Sequence, residues 1–447
     1  MKYEPSLHKL SNGVAVILDA MDCETTNVRI GFATGSRDEK PEEYGITHFC
    51  EHMLCKGTAK RPTRRSITDY LDMYGGLSNA STSSSLLKFE GEIIGDNLDK
   101  LIEVLADNLQ NSLFDEKSID LERIVILDEL HRAQAKSNRK EADFLSKTLF
   151  NSALYSFQTL GTEENIKSFT REQMLDWIKK RLSAKNCTIV VSGKIPSKEA
   201  LLKQLESSFA FLPTHEVAEN KKQTYTPAIA HKIASKGQIT SINILIPKRF
   251  DFSEKYLFHR FCEHKFKSYL REELYEEIRQ KKGLVYGVDV TAWGEEQGVH
   301  AITLECSAKD VATVVELIAK TCARAYNEKT LDDKWLDRYE KAGLLGDAKW
   351  LDSTDRRCST LLNKFRDTGE LYDFDKTIKI SASITAEDVY RVVKGFFDKP
   401  ISILTYGIDF DGDLREIWKK NFPNCGIAPA SVNNKDMQQA LDKDLSR

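Results

Sequence analysis

Residues 89–106, FEGEIIGDNLDKLIEVLA, overlay residues 302–319, ITLECSAKDVATVVELIA, without a gap, in apolar pattern and partly in identity. The tetrapeptide Phe49-Cys50-Glu51-His52 recurs as Phe261-Cys262-Glu263-His264. Self-similarity on this scale sets the gross plan before any single element is assigned: the chain is two related α+β halves. Its 447 residues also exceed what one compact core accommodates. The polar stretch PTHEVAENKKQTYTP marks the joint. The halves are expected at 1–213 and 228–425, with a linker at 214–227 and a polar tail at 426–447.

Within the first half, LHKLSNGVAVILDA carries an Asn12-Gly13 turn between strand runs, and NVRIGFATGSRDE alternates before a loop. Ser66 is placed to cap a helix that stops at Gly75-Gly76. LSNASTSSSLLKFEGEII reads as strands, helices are predicted over 97–111 and 115–135, and CTIVVSG as an apolar strand.

The stretch GITHFCEHMLCKGT, read as a helix, has two faces. Ile46, Phe49, Cys50, Met53 and Leu54 form an apolar stripe, and His48, Glu51 and His52 project from the other side. Imidazoles at i and i+4 stand one above the other and can bind one Zn²⁺, while a carboxylate beside them can take a proton from a water that the metal activates. Zinc needs a further protein ligand, and SIDLERIVILDELHR offers Glu122 and Glu129, two helical turns apart and so on one face. Cys50 and Cys55 flank the motif, but Cys50 belongs to the apolar stripe and reads as a buried thiol.

With its His-x-x-Glu-His order and the spacing from His52 to the two glutamates, the chain resembles the M16, pitrilysin-type, zinc metallopeptidases, in the subgroup of chains of about this length related to mitochondrial processing peptidase subunits. The resemblance implies two α/β-sandwich domains, each a mainly antiparallel sheet packed with helices. It implies one Zn²⁺ per chain on His48, His52 and Glu129, with Glu51 as general base and Glu122 orienting the site. The Gly-Gly turn and the following strand resemble the family's substrate-binding edge, which implies that Asn79 and Ala80 hold a peptide added as an extra β-strand. Leu87 and Phe89 stand where the family usually has Thr and Tyr, so side-chain preference is expected to differ.

In the second half, Arg260 replaces the first histidine, and Lys334 and Lys341 replace Glu122 and Glu129, so His259, Glu263 and His264 cannot hold the same metal. The segment EIRQKKGLVYGV resembles the family pattern Arg-x-x-x-Gly-Leu-x-Tyr. It implies that Arg279 and Tyr286 bind substrate and stabilise the carbonyl oxygen as it becomes anionic.

A net charge of −3 argues against a nucleic-acid partner. No run approaches the roughly 18 apolar residues of a membrane helix, and no signal or transit peptide is expected. Nine cysteines without CxxC spacing indicate reduced thiols in a cytoplasm, and a bacterial source is expected. The resemblance implies endopeptidase cleavage of short or unfolded peptides in an enclosed chamber, by a homodimer whose sites are completed in trans. The rival is a non-catalytic or partner-dependent subunit of a heterodimer.

Overall fold

Alternation along the strands determines where each layer of this α+β fold goes. The computed structural model describes residues 3–150, 158–218, 225–234, 239–248, 256–293 and 298–429. One sheet contains β1 (Ser6–Lys9), β2 (Ala15–Ala20), β3 (Thr25–Phe32), β4 (Gly76–Thr82), β5 (Leu87–Ile94) and β6 (Cys187–Gly193) in the order β1-β2-β6-β3-β5-β4. All its pairs are antiparallel except β2 with β6. The other contains β7 (Ile229–Ile233), β8 (Ile239–Pro247), β9 (Asp289–Trp293), β10 (Val299–Ser307) and β11 (Ser402–Gly407) in the order β7-β11-β8-β10-β9. Apart from β1, the second order repeats the first, down to the single parallel pair β7 with β11.

The α-helices of the described residues, in chain order, are α1 (Ile46–Leu54), α2 (Arg64–Asp72), α3 (Leu98–Asn111), α4 (Glu116–Ala135), α5 (Ser137–Leu149), α6 (Glu163–Ser168), α7 (Arg171–Arg181), α8 (Lys198–Phe209), α9 (Tyr256–Leu274), α10 (Val311–Asn327), α11 (Asp333–Leu351), α12 (Thr354–Thr368), α13 (Phe374–Ala382), α14 (Ala386–Val393) and α15 (Leu414–Asn421). The two predicted helices over 97–111 and 115–135 are α3 and α4. At α2 the structure corrects the cap: Thr63 Oγ1 accepts from the Ser66 amide at 3.1 Å, and Ser66 Oγ accepts from the Thr63 amide at 3.0 Å. The motif is a capping box, with Ser66 one turn inside the helix rather than at its start.

Two compact units emerge, and each draws on more than one stretch of chain. One comprises 1–139, 157–221 and 345–374; the other comprises 140–156, 222–344 and 375–447. The sequence-based division at 214–227 gives 345–374 to the second half and 140–156 to the first. By packing, each segment joins the other sheet. Residues 219–224 of the linker, and the tail from 430 on, lie outside the described residues.

The cause is visible strand by strand. In β3, Val28, Ile30 and Phe32 enter the main core, while Asn27, Arg29 and Gly31 face the opposite side. There α12 covers the sheet. Arg29 Nη2 donates to Asp355 at 2.5 Å, and the Cys358 thiol lies 3.7 Å from the Asn27 carbonyl. A Cβ at Gly31 would sit 2.9 Å from Leu362, so the helix approaches as closely as it does because position 31 has no side chain. Ile17, Val190, Cys358, Leu361 and Leu362 form this second, smaller core. Arg357 pairs with Asp19 there, both side chains fully buried. In the other unit α5 does the same: Phe144, Leu145 and Leu149 pack on Leu245, Leu404 and Tyr406, and Glu141 accepts from Asn243 at 2.8 Å. Among the described residues no helix is long and apolar enough to cross a membrane.

Candidate metal centre

Helix α1 begins at Gly45, whose φ of +97° is left-handed and whose Cα faces Gly161; a Cβ on Gly45 would lie 2.7 Å from it. Only glycine suits such a position. The helix start is buried, and its amides need acceptors. Glu39 supplies them, accepting from Gly45 N–H at 2.8 Å and Thr47 N–H at 2.9 Å. Burial pushes the Glu39 carboxyl up to about 8, against the pull of those hydrogen bonds. Ile46, Phe49, Cys50, Met53 and Leu54 all enter the core, as the stripe requires. That leaves His48, Glu51 and His52 on the other face.

The two histidine rings meet edge to face, with centroids 4.6 Å apart and Nε2 atoms 3.2 Å apart. From α4, Glu129 Oε2 stands 3.9 Å from each Nε2. Among the described residues this is the one group of three potential metal ligands whose atoms lie within 4.8 Å of one another. Tetrahedral zinc with ligands at about 2.0–2.1 Å separates neighbouring ligand atoms by about 3.4 Å. The observed triangle is within about half an ångström of that on every side. Burial, and then His52, push His48 down to about 3, so it is neutral at pH 7 and offers a lone pair. Among the described residues, its buried Nδ1 has no hydrogen-bond partner. The donor set fits zinc.

Glu122, two helical turns before Glu129, accepts from His52 Nδ1 at 2.9 Å through Oε2. Its Oε1 takes the Lys56 ammonium. Burial would raise the Glu122 carboxyl, but the hydrogen bonds from His52 and Lys56 outweigh it and hold the group down at about 2. For His52, burial is outweighed by the Glu122 hydrogen bond and the charges of Glu51, Glu129 and Glu122, and its pKa rises. Glu51 is buried, which raises its pKa, and its Oε2 accepts from Thr82 Oγ1 at 2.8 Å.

Thr82 ends β4, the outermost strand of its sheet. Along β4, Ala80 packs on the core and Asn79 is exposed. In the other unit, Arg279 lies in a wide π-helical turn, Tyr275–Gln280, that continues α9. Its guanidinium is 5.8 Å from the ring centroid of Tyr286, which is 91% exposed. So each set of sequence-predicted residues is locally assembled: His48, Glu51, His52, Glu122 and Glu129 in one unit, Arg279 and Tyr286 in the other. In the second copy of the motif helix, His264 Nδ1 and Tyr339 Oη are 2.7 Å apart, and Lys341 pairs with Asp337 at 2.7 Å.

Sequence reasoning missed three residues: Lys56, Thr82 and Glu39. Lys56 follows His52 at i+4 and Thr82 shares a strand face with Ala80, so both periodicities pointed at the site.

Residues 14–163 match the family described as insulinase, peptidase family M16, and residues 168–342 match the peptidase M16 inactive domain. The chain is 34% identical, over 220 residues, to a mitochondrial-processing peptidase subunit beta of Dictyostelium discoideum, covering 49% of this chain and 47% of that one. It is 31% identical over 226 residues to a probable subunit beta of Arabidopsis thaliana, covering 50% of this chain and 42% of that one. The match thus spans less than half the length of these two relatives. An uncharacterized zinc protease of Rickettsia felis is 27% identical over 93% of this chain and 100% of its own. Among solved structures, a protease from Helicobacter pylori superposes with a TM-score of 0.80 at 17% identity, over 91% of this chain and 100% of that one. At that identity the likeness is one of fold.

Proposed function

Because the chain belongs to the M16 metallopeptidase family, we propose that it is a zinc-dependent endopeptidase that holds one metal ion on His48, His52 and Glu129. The observation that carries the reading is the triangle of ligand atoms, 3.2, 3.9 and 3.9 Å on its sides, built from two helices of one unit. A zinc ion there supplies Lewis acidity toward a water and a peptide carbonyl. The rest of the work falls to the chain. Glu51 takes the proton of the attacking water and returns it to the leaving amine, and Thr82 fixes the direction in which its carboxylate points. Glu122 fixes the tautomer of His52, leaving Nε2 free to ligate.

The substrate lies as an added strand along β4, its backbone held at Asn79 and Ala80, because an outer strand offers unpaired main-chain groups to an extended peptide. In this reading Arg279 and Tyr286 are the substrate contacts of the second half and stabilise the carbonyl oxygen as charge develops. In this reading the working unit is a homodimer whose sites are completed in trans around an enclosed chamber, in a cytoplasmic setting. A second reading, a subunit active only with a different partner, is favoured by the match of 168–342 to an inactive domain and by the word subunit in the names of the relatives.

The test is cleavage by the zinc-loaded chain, purified alone, of quenched peptides and of one protein in folded and denatured forms. Cuts in the peptides and the denatured protein, with the folded form spared, are expected. Equal cleavage of both forms contradicts a site that admits only extended chain, and inactivity of the lone chain favours the partner-dependent reading.

A further inference from the structure

Lys56 lies just beyond the end of α1, tied to it by its own amide, which donates to the Met53 carbonyl at 3.2 Å. From there its side chain reaches α4 and ends on Oε1 of Glu122. Both oxygens of Glu122 are thereby engaged, one by Lys56 and one by His52 Nδ1. Glu129, two turns further along the same helix, has Oε2 directed instead at the two Nε2 atoms. The ammonium and His52 Nδ1 together set Glu122 apart from Glu129: one is held for orientation and the other left to ligate.

We propose that Lys56 is a positioning residue of the metal centre, acting on His52 through Glu122. This rests on the reading of His48, His52 and Glu129 as the zinc site. The Glu122 side chain is only 10% exposed. Without Lys56 it becomes a buried carboxylate with half its partners gone, a costly state that is relieved by turning toward water or away from His52. Either movement releases the imidazole whose orientation the metal requires. Loss of such an outer partner typically weakens metal binding by about 10- to 100-fold. The competing role is local: a cation after the last turn of a helix favours its exposed carbonyls and would stabilise α1 without reference to Glu122.

Zinc affinity separates the two. The full chain, stripped of metal, is titrated with zinc against a chromophoric chelator, and thermal unfolding of the zinc-free protein is recorded beside it. Lys56→Met is expected to weaken zinc binding by about tenfold or more at matched thermal stability, with Lys56→Arg recovering toward wild type. Lys56→Gln gives the same reading should Lys56→Met fold poorly. Because the effect runs through Glu122, adding Lys56→Met to Glu122→Gln should change the affinity little further. Wild-type affinity in both Lys56→Met and Lys56→Gln, or an effect that adds in full to that of Glu122→Gln, overturns the proposal while leaving the zinc site standing. If the wild-type chain takes up no zinc, the zinc-site reading falls and this one with it.

Discussion

At Glu39, desolvation and hydrogen bonding oppose each other, and the balance sets a pH dependence. An unfolded carboxyl loses its proton near 4.5, whereas burial holds the folded one to about 8. Between those values the folded state binds a proton that the unfolded state has released, so this group's contribution to stability is present below about 4.5 and is lost as pH rises to about 8. The loss runs at up to about 1.4 kcal/mol per pH unit. Denaturant unfolding of the metal-free wild type and Glu39→Gln from pH 5 to 8 checks it: the variant should gain on wild type as pH climbs. Parallel curves would mean that Glu39 is ionised throughout, a charged cap on α1. His48, Glu51 and His52 were legible in the sequence because helical periodicity alone separates them from the apolar stripe. Glu122 and Glu129 needed the spacing of a known family, since no local pattern joins α4 to α1. Lys56 and Thr82 were legible only as positions in a period: a lysine before Gly57-Thr58 reads first as loop surface, and a threonine in a strand reads first as propensity.

At the scale of elements, the exchange of α5 and α12 was hidden for a simple reason. Periodicity tells which face of a helix is apolar but not which sheet receives it, and each helix follows its own half in sequence. The signal that did exist was in the strands. β2 and β3 carry Asp19 and Arg29 on faces that would be solvent-exposed without α12, and each finds its countercharge on that helix. Arg357 and Asp19 are both fully buried, so removing one leaves the other uncompensated. Arg357→Ala should therefore destabilise the protein by about 3–5 kcal/mol in denaturant unfolding, and Asp19→Asn in the Arg357→Ala background should recover part of it. A loss below about 1 kcal/mol, the range of exposed pairs, would contradict the buried pairing of α12 with the first sheet.

For the whole molecule, the internal repeat announced two halves, and the structure carries that repeat into matching strand orders. The repeat also separates the proposed chemistry: the proposed metal ligands and base lie in the first half, Arg279 and Tyr286 in the second. If sites are completed in trans, Glu51→Gln and Arg279→Ala are each nearly inactive alone, yet a mixed dimer unites one intact zinc half with one intact Arg279. Co-expression with two tags and purification through both isolates that dimer. Its activity should approach half of wild type, one working site of two. A mixed dimer as inactive as its parents rules out the trans site, and Arg279 then acts within its own chain or does something else.

The helix pair carrying His48, Glu51, His52 and Glu129 is proposed to be a working zinc peptidase centre. Bound zinc and the rate of peptide cleavage, measured on the same preparations of wild type, Glu51→Gln and His52→Ala, test it most directly. Wild type should hold one zinc and cleave. Glu51→Gln should keep the metal and lose at least about a hundredfold in rate, because it removes the base and spares the ligands. His52→Ala should lose both. A Glu51→Gln chain that cleaves at the wild-type rate would contradict the account.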